Sequence, residues 1–145
     1  MTRKQARDIV FKLTYQTDMQ QESADEMLSV FIEHADAEYG AGEWDGGPNA
    51  EYARSSLLSI FGGIDGIDGI ISALSENWEI GRLSKPTLAA LRYGVYELRE
   101  GEVPASVTIN EITDLISKYE GEQAANFVNG VLARYLREYL SDNRD

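Results

Sequence analysis

Apolar residues recur at three- and four-residue intervals along nearly the whole chain, and no stretch alternates apolar with polar residues long enough to define a strand. This pattern predicts seven helices. The first, over about residues 3–17, places Ala6, Ile9, Val10 and Leu13 on one face, and the second, over about 24–39, carries Met27, Leu28, Phe31, Ile32 and Ala35. Between Gly40 and Pro48 four glycines and the proline stop helix propagation, which leaves Asn49 to cap a third helix over about 50–61. Residues 62–69, rich in glycine, are expected to form a loop, with Asp65 or Asp68 capping a fourth helix. Ile67, Ile70, Ile71, Leu74 and Trp78 would be that helix's inward stripe.

Ser84 and Pro86 open a fifth helix whose seam of Leu88, Leu91, Val95 and Leu98 ends at Gly101 and Pro104, and this helix is expected to be central. In the sixth, over about 106–119, Thr108-Ile-Asn-Glu111 has the form of a capping box. After Gly121 a seventh helix, over about 122–140, carries a broad apolar face from Phe127 to Tyr139. The fold class that follows is all-α, with short connections favouring antiparallel neighbours.

Composition narrows the function classes. With 145 residues, 43% of them hydrophobic, the chain can bury a core without covalent staples. The absence of cysteine excludes disulfides, thiolate metal sites and thiol redox chemistry. No run approaches the roughly 18 apolar residues of a membrane span, and the opening MTRKQARDIV is charged where a secretory leader turns apolar. A soluble cytoplasmic protein is expected.

Signatures of catalysis are scarce. The one histidine, His34, lies among polar residues of the second helix, and neither a G-x-S-x-G elbow nor an H-E-x-x-H pair is present. Gly63, Gly66 and Gly69 match neither a dinucleotide fingerprint nor a P-loop. Asp65 and Asp68 lack the ligand spacing of a calcium loop. No enzyme, cofactor or metal is expected.

Charge changes the picture more. Twenty-five acidic residues against thirteen Lys and Arg give a net charge of -12, which argues against a polyanionic partner. Its distribution argues the other way: Arg3, Lys4, Arg7 and Lys12 face only Asp8 within the first twelve residues, and on a helix residues 3, 4 and 7 form one cluster of cations. Tyr15, two turns beyond Arg7, adds a ring to that side, and a cation beside a stacking ring suits single-stranded RNA. On spacing alone Tyr15 serves equally well at the edge of the core.

Several segments resemble the NusB family of bacterial transcription antitermination factors. Arg3-Lys-Gln-Ala-Arg7 with Lys12-Leu-Thr-Tyr-Gln16 is similar to the family's opening helix. Leu88-Ala-Ala-Leu-Arg-Tyr-Gly-Val-Tyr-Glu-Leu98, Val103-Pro104, Thr108-Ile-Asn-Glu111 and Asn126-Phe-Val-Asn-Gly-Val-Leu132 resemble its later blocks in order and spacing.

The resemblance implies two packed helical subdomains, here about 1–80 and 81–145. It also implies a non-catalytic adaptor that binds boxA-type RNA with the ribosomal protein NusE and joins RNA polymerase with other Nus factors. It maps RNA contact onto Arg3, Lys4, Arg7 and Tyr15, and onto Gln123, Asn126 and Phe127 at the start of helix seven. The NusE contact maps onto Trp78, Glu79, Arg82 and Thr87. Leu91-Arg92, Tyr96-Glu97, Asn110-Glu111 and Asn129-Gly130 are assigned to the scaffold.

This chain departs from the family pattern at Gln5, which interrupts the basic run, at Thr14, where a hydrophobic residue is common, and at Thr87, where an acid is common. Two rival readings stay open. One is an accessory domain of an RNA cytosine methyltransferase, for which 145 residues leave no room to hold S-adenosylmethionine. The other is a protein-only helical module that has lost RNA recognition. Homodimerisation through an exposed apolar face also stays open.

Overall fold

The computed structural model describes residues 1–40, 46–75 and 80–140. Among these, seven α-helices are found: α1 Arg3–Gln16, α2 Ala24–Tyr39, α3 Pro48–Gly62, α4 Ile64–Leu74, α5 Lys85–Glu100, α6 Ala105–Glu120 and α7 Glu122–Tyr135. A 3-10 turn, Ile80–Arg82, precedes α5, and a π-helical turn, Leu136–Leu140, continues α7. The helices fall into two compact units, Met1–Ile64 and Asp65–Asp145.

In the first unit α1, α2 and α3 pack on one another. Ile9, Val10, Phe11, Leu13, Phe31, Leu57 and Ile60 are almost wholly buried. Capping boxes start two of these helices: Thr2 with Gln5 on α1, and Ser23 with Glu26 on α2. Bonding to Ser23, its backbone N–H above all, holds the Glu26 carboxyl below the usual carboxylate range. Thr14 is buried and donates its hydroxyl to the Val10 carbonyl at 2.6 Å, so a polar residue occupies this core position without an unpaired group. Ile32, expected on the inward stripe of α2, is 39% exposed.

Asn49 is not the cap of α3. Gly47 holds that place, Pro48 enters the first turn, and the Asn49 side chain is used for tertiary bonds.

The second unit contains the larger correction to the expected architecture. Residues 64–74, including Gly66 and Gly69, form a helix and not the expected loop. Each glycine costs about 1 kcal/mol relative to alanine in a helix. Burial of Ile64, Ile67, Ile71 and Leu74 offsets that cost. Asp68 lies inside α4 and not at its cap, and it receives a bidentate pair from Arg92 of α5, with Nε to Oδ1 at 2.9 Å and Nη2 to Oδ2 at 2.8 Å. Arg134 of α7 donates to the Leu74 carbonyl at 3.1 Å. These bonds tie α4 to the rest of the second compact unit, which begins at Asp65.

Helix α5 has Ala89, Ala90, Leu91, Tyr93, Gly94, Val95, Tyr96, Glu97 and Leu98 buried, on every side of the helix, and α6 and α7 both pack on it. Ser84 caps it by accepting the Thr87 N–H, and Gly101 ends it in the left-handed region at φ 69°. Leu88 is only half-buried.

The expected capping box of α6 does not form. The helix starts at Ala105 after Pro104, within a residue of the expected start but a turn before the place a Thr108 cap would give it, and Thr108 is buried inside it. Asn110, Asn129 and Gly130, assigned to the scaffold, are exposed.

At Gly94 a Cβ would lie 2.6 Å from Leu132 Cδ1 and 3.2 Å from Cγ of the same side chain, which is fully buried. Gly94→Val is expected to destabilise the protein by about 3 kcal/mol through overpacking of α5 on α7. A urea titration checks this, and a loss below about 1 kcal/mol would show that Leu132 can give way.

Candidate nucleic-acid interface

The basic residues of α1 do not behave as one cluster. No acidic residue lies in the helix's first turn, so its N-terminal end is positive from the backbone as well as from the side chains. Lys4 is exposed and Arg7 half-buried. Arg3 turns toward α3: its Nε donates to Asn49 Oδ1 at 2.9 Å, and its Cζ lies 3.9 Å from the centre of the Tyr52 ring. Lys12 is neutralised, with its Nζ 3.0 Å from Asp8 Oδ2 and 2.8 Å from Glu38 Oε1. The Tyr39 hydroxyl donates to the same Asp8 oxygen at 3.0 Å, and burial followed by the Asp8 charge pushes its pKa up. Tyr15 is half-buried with its ring tilted against Phe11, the centroids 5.5 Å apart.

A second group of candidate residues lies in the Asp65–Asp145 unit. Arg82, Leu83, Ser84, Thr87, Glu120, Gln123, Ala124 and Phe127 line an open cleft of about 440 Å³. Two residues assigned to RNA, Gln123 and Phe127, thus share one cleft with two assigned to the protein partner, Arg82 and Thr87. Phe127 is half-buried, while Gln123 and Asn126 are exposed. Asn126 is not among the lining residues. Trp78 and Glu79 lie outside the described residues.

The chain reaches this cleft because Gly121, at φ 91°, ends α6 and starts α7. The N-cap of α7 is Gly121, which has no side chain to accept from the backbone N–H groups of the first turn.

Sequence reasoning missed Glu120. Its Oε1 accepts the Thr87 hydroxyl at 3.0 Å and also the Ser84 hydroxyl. Thr87 is accordingly 7% exposed, with its hydroxyl engaged inside the unit. The available signal was Ser84 and Thr87 three residues apart at a helix start, where hydroxyls and backbone N–H groups favour a carboxylate.

The arrangement gives cations and a ring on α1, and an aromatic, an amide and an arginine around the cleft. These groups can hold phosphates and stack bases.

Comparison with known proteins gives one consistent result. The family model described as the NusB family matches residues 4–137. The transcription antitermination protein NusB of Acetivibrio thermocellus is 33% identical over 151 aligned residues, covering 100% of this chain and 99% of that protein. The structure of NusB from T. maritima superposes with a TM-score of 0.77 at 30% identity, covering 95% of this chain and 92% of that one. The crystal structure of antitermination factors NusB and NusE in complex with dsRNA superposes with a TM-score of 0.75 at 31% identity, covering 94% and 97%. With the family model matching residues 4–137 and a NusB protein 33% identical over the whole chain, the chain belongs to the NusB family.

Proposed function

We propose that this chain is an RNA-binding transcription antitermination adaptor. It takes up boxA-type RNA together with the ribosomal protein NusE, joins RNA polymerase and other Nus factors in the cytoplasm, and supports processive transcription of ribosomal RNA operons. The role is stoichiometric and needs no turnover. What carries this reading is the near full-length likeness to NusB proteins, including a NusB solved with NusE and RNA.

Lys4 and Arg7 meet phosphates, Tyr15 and Phe127 offer rings, and Gln123 and Asn126 offer amides at the start of α7. Arg82 and the cleft rim at Thr87 are assigned to NusE contact, as are Trp78 and Glu79 by the family resemblance. A net charge of -12 repels RNA from most of the surface and steers a basic ribosomal protein toward it. The chain alone is therefore expected to bind RNA weakly, with most affinity appearing once NusE is present.

The test is a titration of a boxA-like single strand, and of its duplex, with the chain, with NusE and with both, at two salt concentrations. RNA binding by the pair that exceeds that of either protein and weakens with salt is the expected result. NusE binding without any gain in RNA affinity would replace the adaptor with a protein-only module, a reading that the neutralised Lys12 favours.

A further inference from the structure

We propose that Arg3, Asn49 and Tyr52 form a phosphate clamp for the RNA backbone, in which Arg3 makes the contact and the two α3 residues position it. The proposal rests on the RNA-binding reading above and names residues of α3 that no sequence block or comparison assigns.

The geometry starts from the guanidinium, which carries five N–H donors in one plane. Asn49 Oδ1 takes the Nε–H at 2.9 Å, and Tyr52 covers one face at 3.9 Å. What is left is the edge bearing the two terminal nitrogens, the pair that matches two phosphate oxygens bidentately. Lys12, Arg54, Arg92 and Arg134 are each paired with carboxylates. Among the described residues Arg3 has an amide and a ring instead, and keeps its full charge.

Asparagine suits this position better than aspartate. The Asn49 Nδ2 donates to the Met1 carbonyl at 3.2 Å while Oδ1 holds Arg3, so one amide fixes both the start of the chain and the guanidinium. An aspartate could not donate to Met1 and would neutralise Arg3. The surroundings reinforce the positive charge, since the first turn of α1 has no acid and Lys4 is exposed beside Arg3. A guanidinium held on two sides before binding loses little side-chain freedom when a phosphate arrives.

The test measures RNA affinity of the chain paired with NusE, across a salt series, for wild type and for Tyr52→Phe, Tyr52→Leu, Asn49→Asp and Arg3→Lys. NusE affinity and thermal midpoint are recorded alongside. Tyr52→Leu, Asn49→Asp and Arg3→Lys are each expected to weaken RNA binding about three- to tenfold with NusE affinity unchanged, because a loose or neutralised cation cannot hold a fork. Tyr52→Phe, which keeps the ring, should stay within about twofold of wild type. Asn49→Asp should also flatten the slope of log affinity against log salt by about 0.7, the loss of one phosphate contact.

Arg3→Lys keeps the charge and leaves α3 untouched, so it decides the matter even if a change in α3 unfolds the unit. RNA binding by the wild-type pair that Arg3→Lys and Asn49→Asp leave unchanged would overturn the clamp alone. No RNA binding by the wild-type pair would overturn the functional reading and the clamp with it.

Discussion

Arg92→Ala is expected to destabilise the protein by about 3 kcal/mol, because it leaves the Asp68 carboxylate in a poorly solvated site without its partner. The two side chains are only 13% and 15% exposed, and both oxygens of Asp68 accept from Arg92. Removing one member of such a pair costs far more than the net worth of the pair, since the remaining charge keeps its desolvation penalty and loses its compensation. The bridge also carries structural information: it joins α4, a helix with two internal glycines and little intrinsic stability, to the buried helix α5. A urea titration followed by circular dichroism measures the loss, with the m-value reporting whether α4 has detached. The double variant Asp68→Leu with Arg92→Met should recover most of the stability, as apolar replacements of paired charges commonly do. A loss below about 1 kcal/mol in Arg92→Ala would mean that water reaches Asp68 and the pair behaves as a surface bridge.

The same bridge shows why one stretch of the fold was illegible in the sequence. Residues 62–69 carry four glycines, and local propensity alone favours a loop there. Burial of the isoleucines and the partner on α5 override it, and both depend on tertiary structure, whereas only the isoleucine spacing is visible in the sequence. Helix boundaries set by local chemistry were readable: Ser84 with Pro86 starts α5, Gly101 ends it, and Gly121 separates α6 from α7. Thr108 misled because a capping box and a buried threonine look alike without knowledge of where the turn begins.

The candidate site divides in the same way. Charge counting found Arg3, Lys4, Arg7 and Lys12 together on α1, and the structure then separates them by partners distant in sequence. Lys12 is spent on Asp8 and Glu38, whereas Arg3 is bound to α3. Glu120 escaped notice because its significance comes from Ser84 and Thr87, more than thirty residues away. Sequence patterns therefore reported which charges exist, and tertiary pairing decides which of them a polyanion can use.

The sharpest functional expectation concerns Lys4 and Arg7, which the family resemblance assigns to RNA together with Arg3. Lys4→Glu combined with Arg7→Glu should lower the RNA affinity of the pair with NusE about a hundredfold, near 2.7 kcal/mol, if each cation loses one charge-assisted contact to a phosphate. The slope of log affinity against log salt should fall by about 1.4, since each single-strand phosphate contact contributes about 0.7. Lys4→Glu separates this loss from unfolding: Lys4 is exposed, and a new acid in the first turn of α1, which has none, interacts favourably with the positive end of the helix. Lys4→Glu alone should show about half the effect with its thermal midpoint held or slightly raised, whereas Arg7 is half-buried and engaged within the structure, so the midpoint of the double variant is recorded alongside. NusE affinity should stay within about twofold, because NusE contact is assigned to the cleft of the other unit and not to α1. Filter binding or anisotropy at three salt concentrations separates the outcomes. Unchanged RNA affinity and an unchanged slope would remove α1 from the interface and leave the cleft residues Gln123 and Phe127 as the place where any RNA is held.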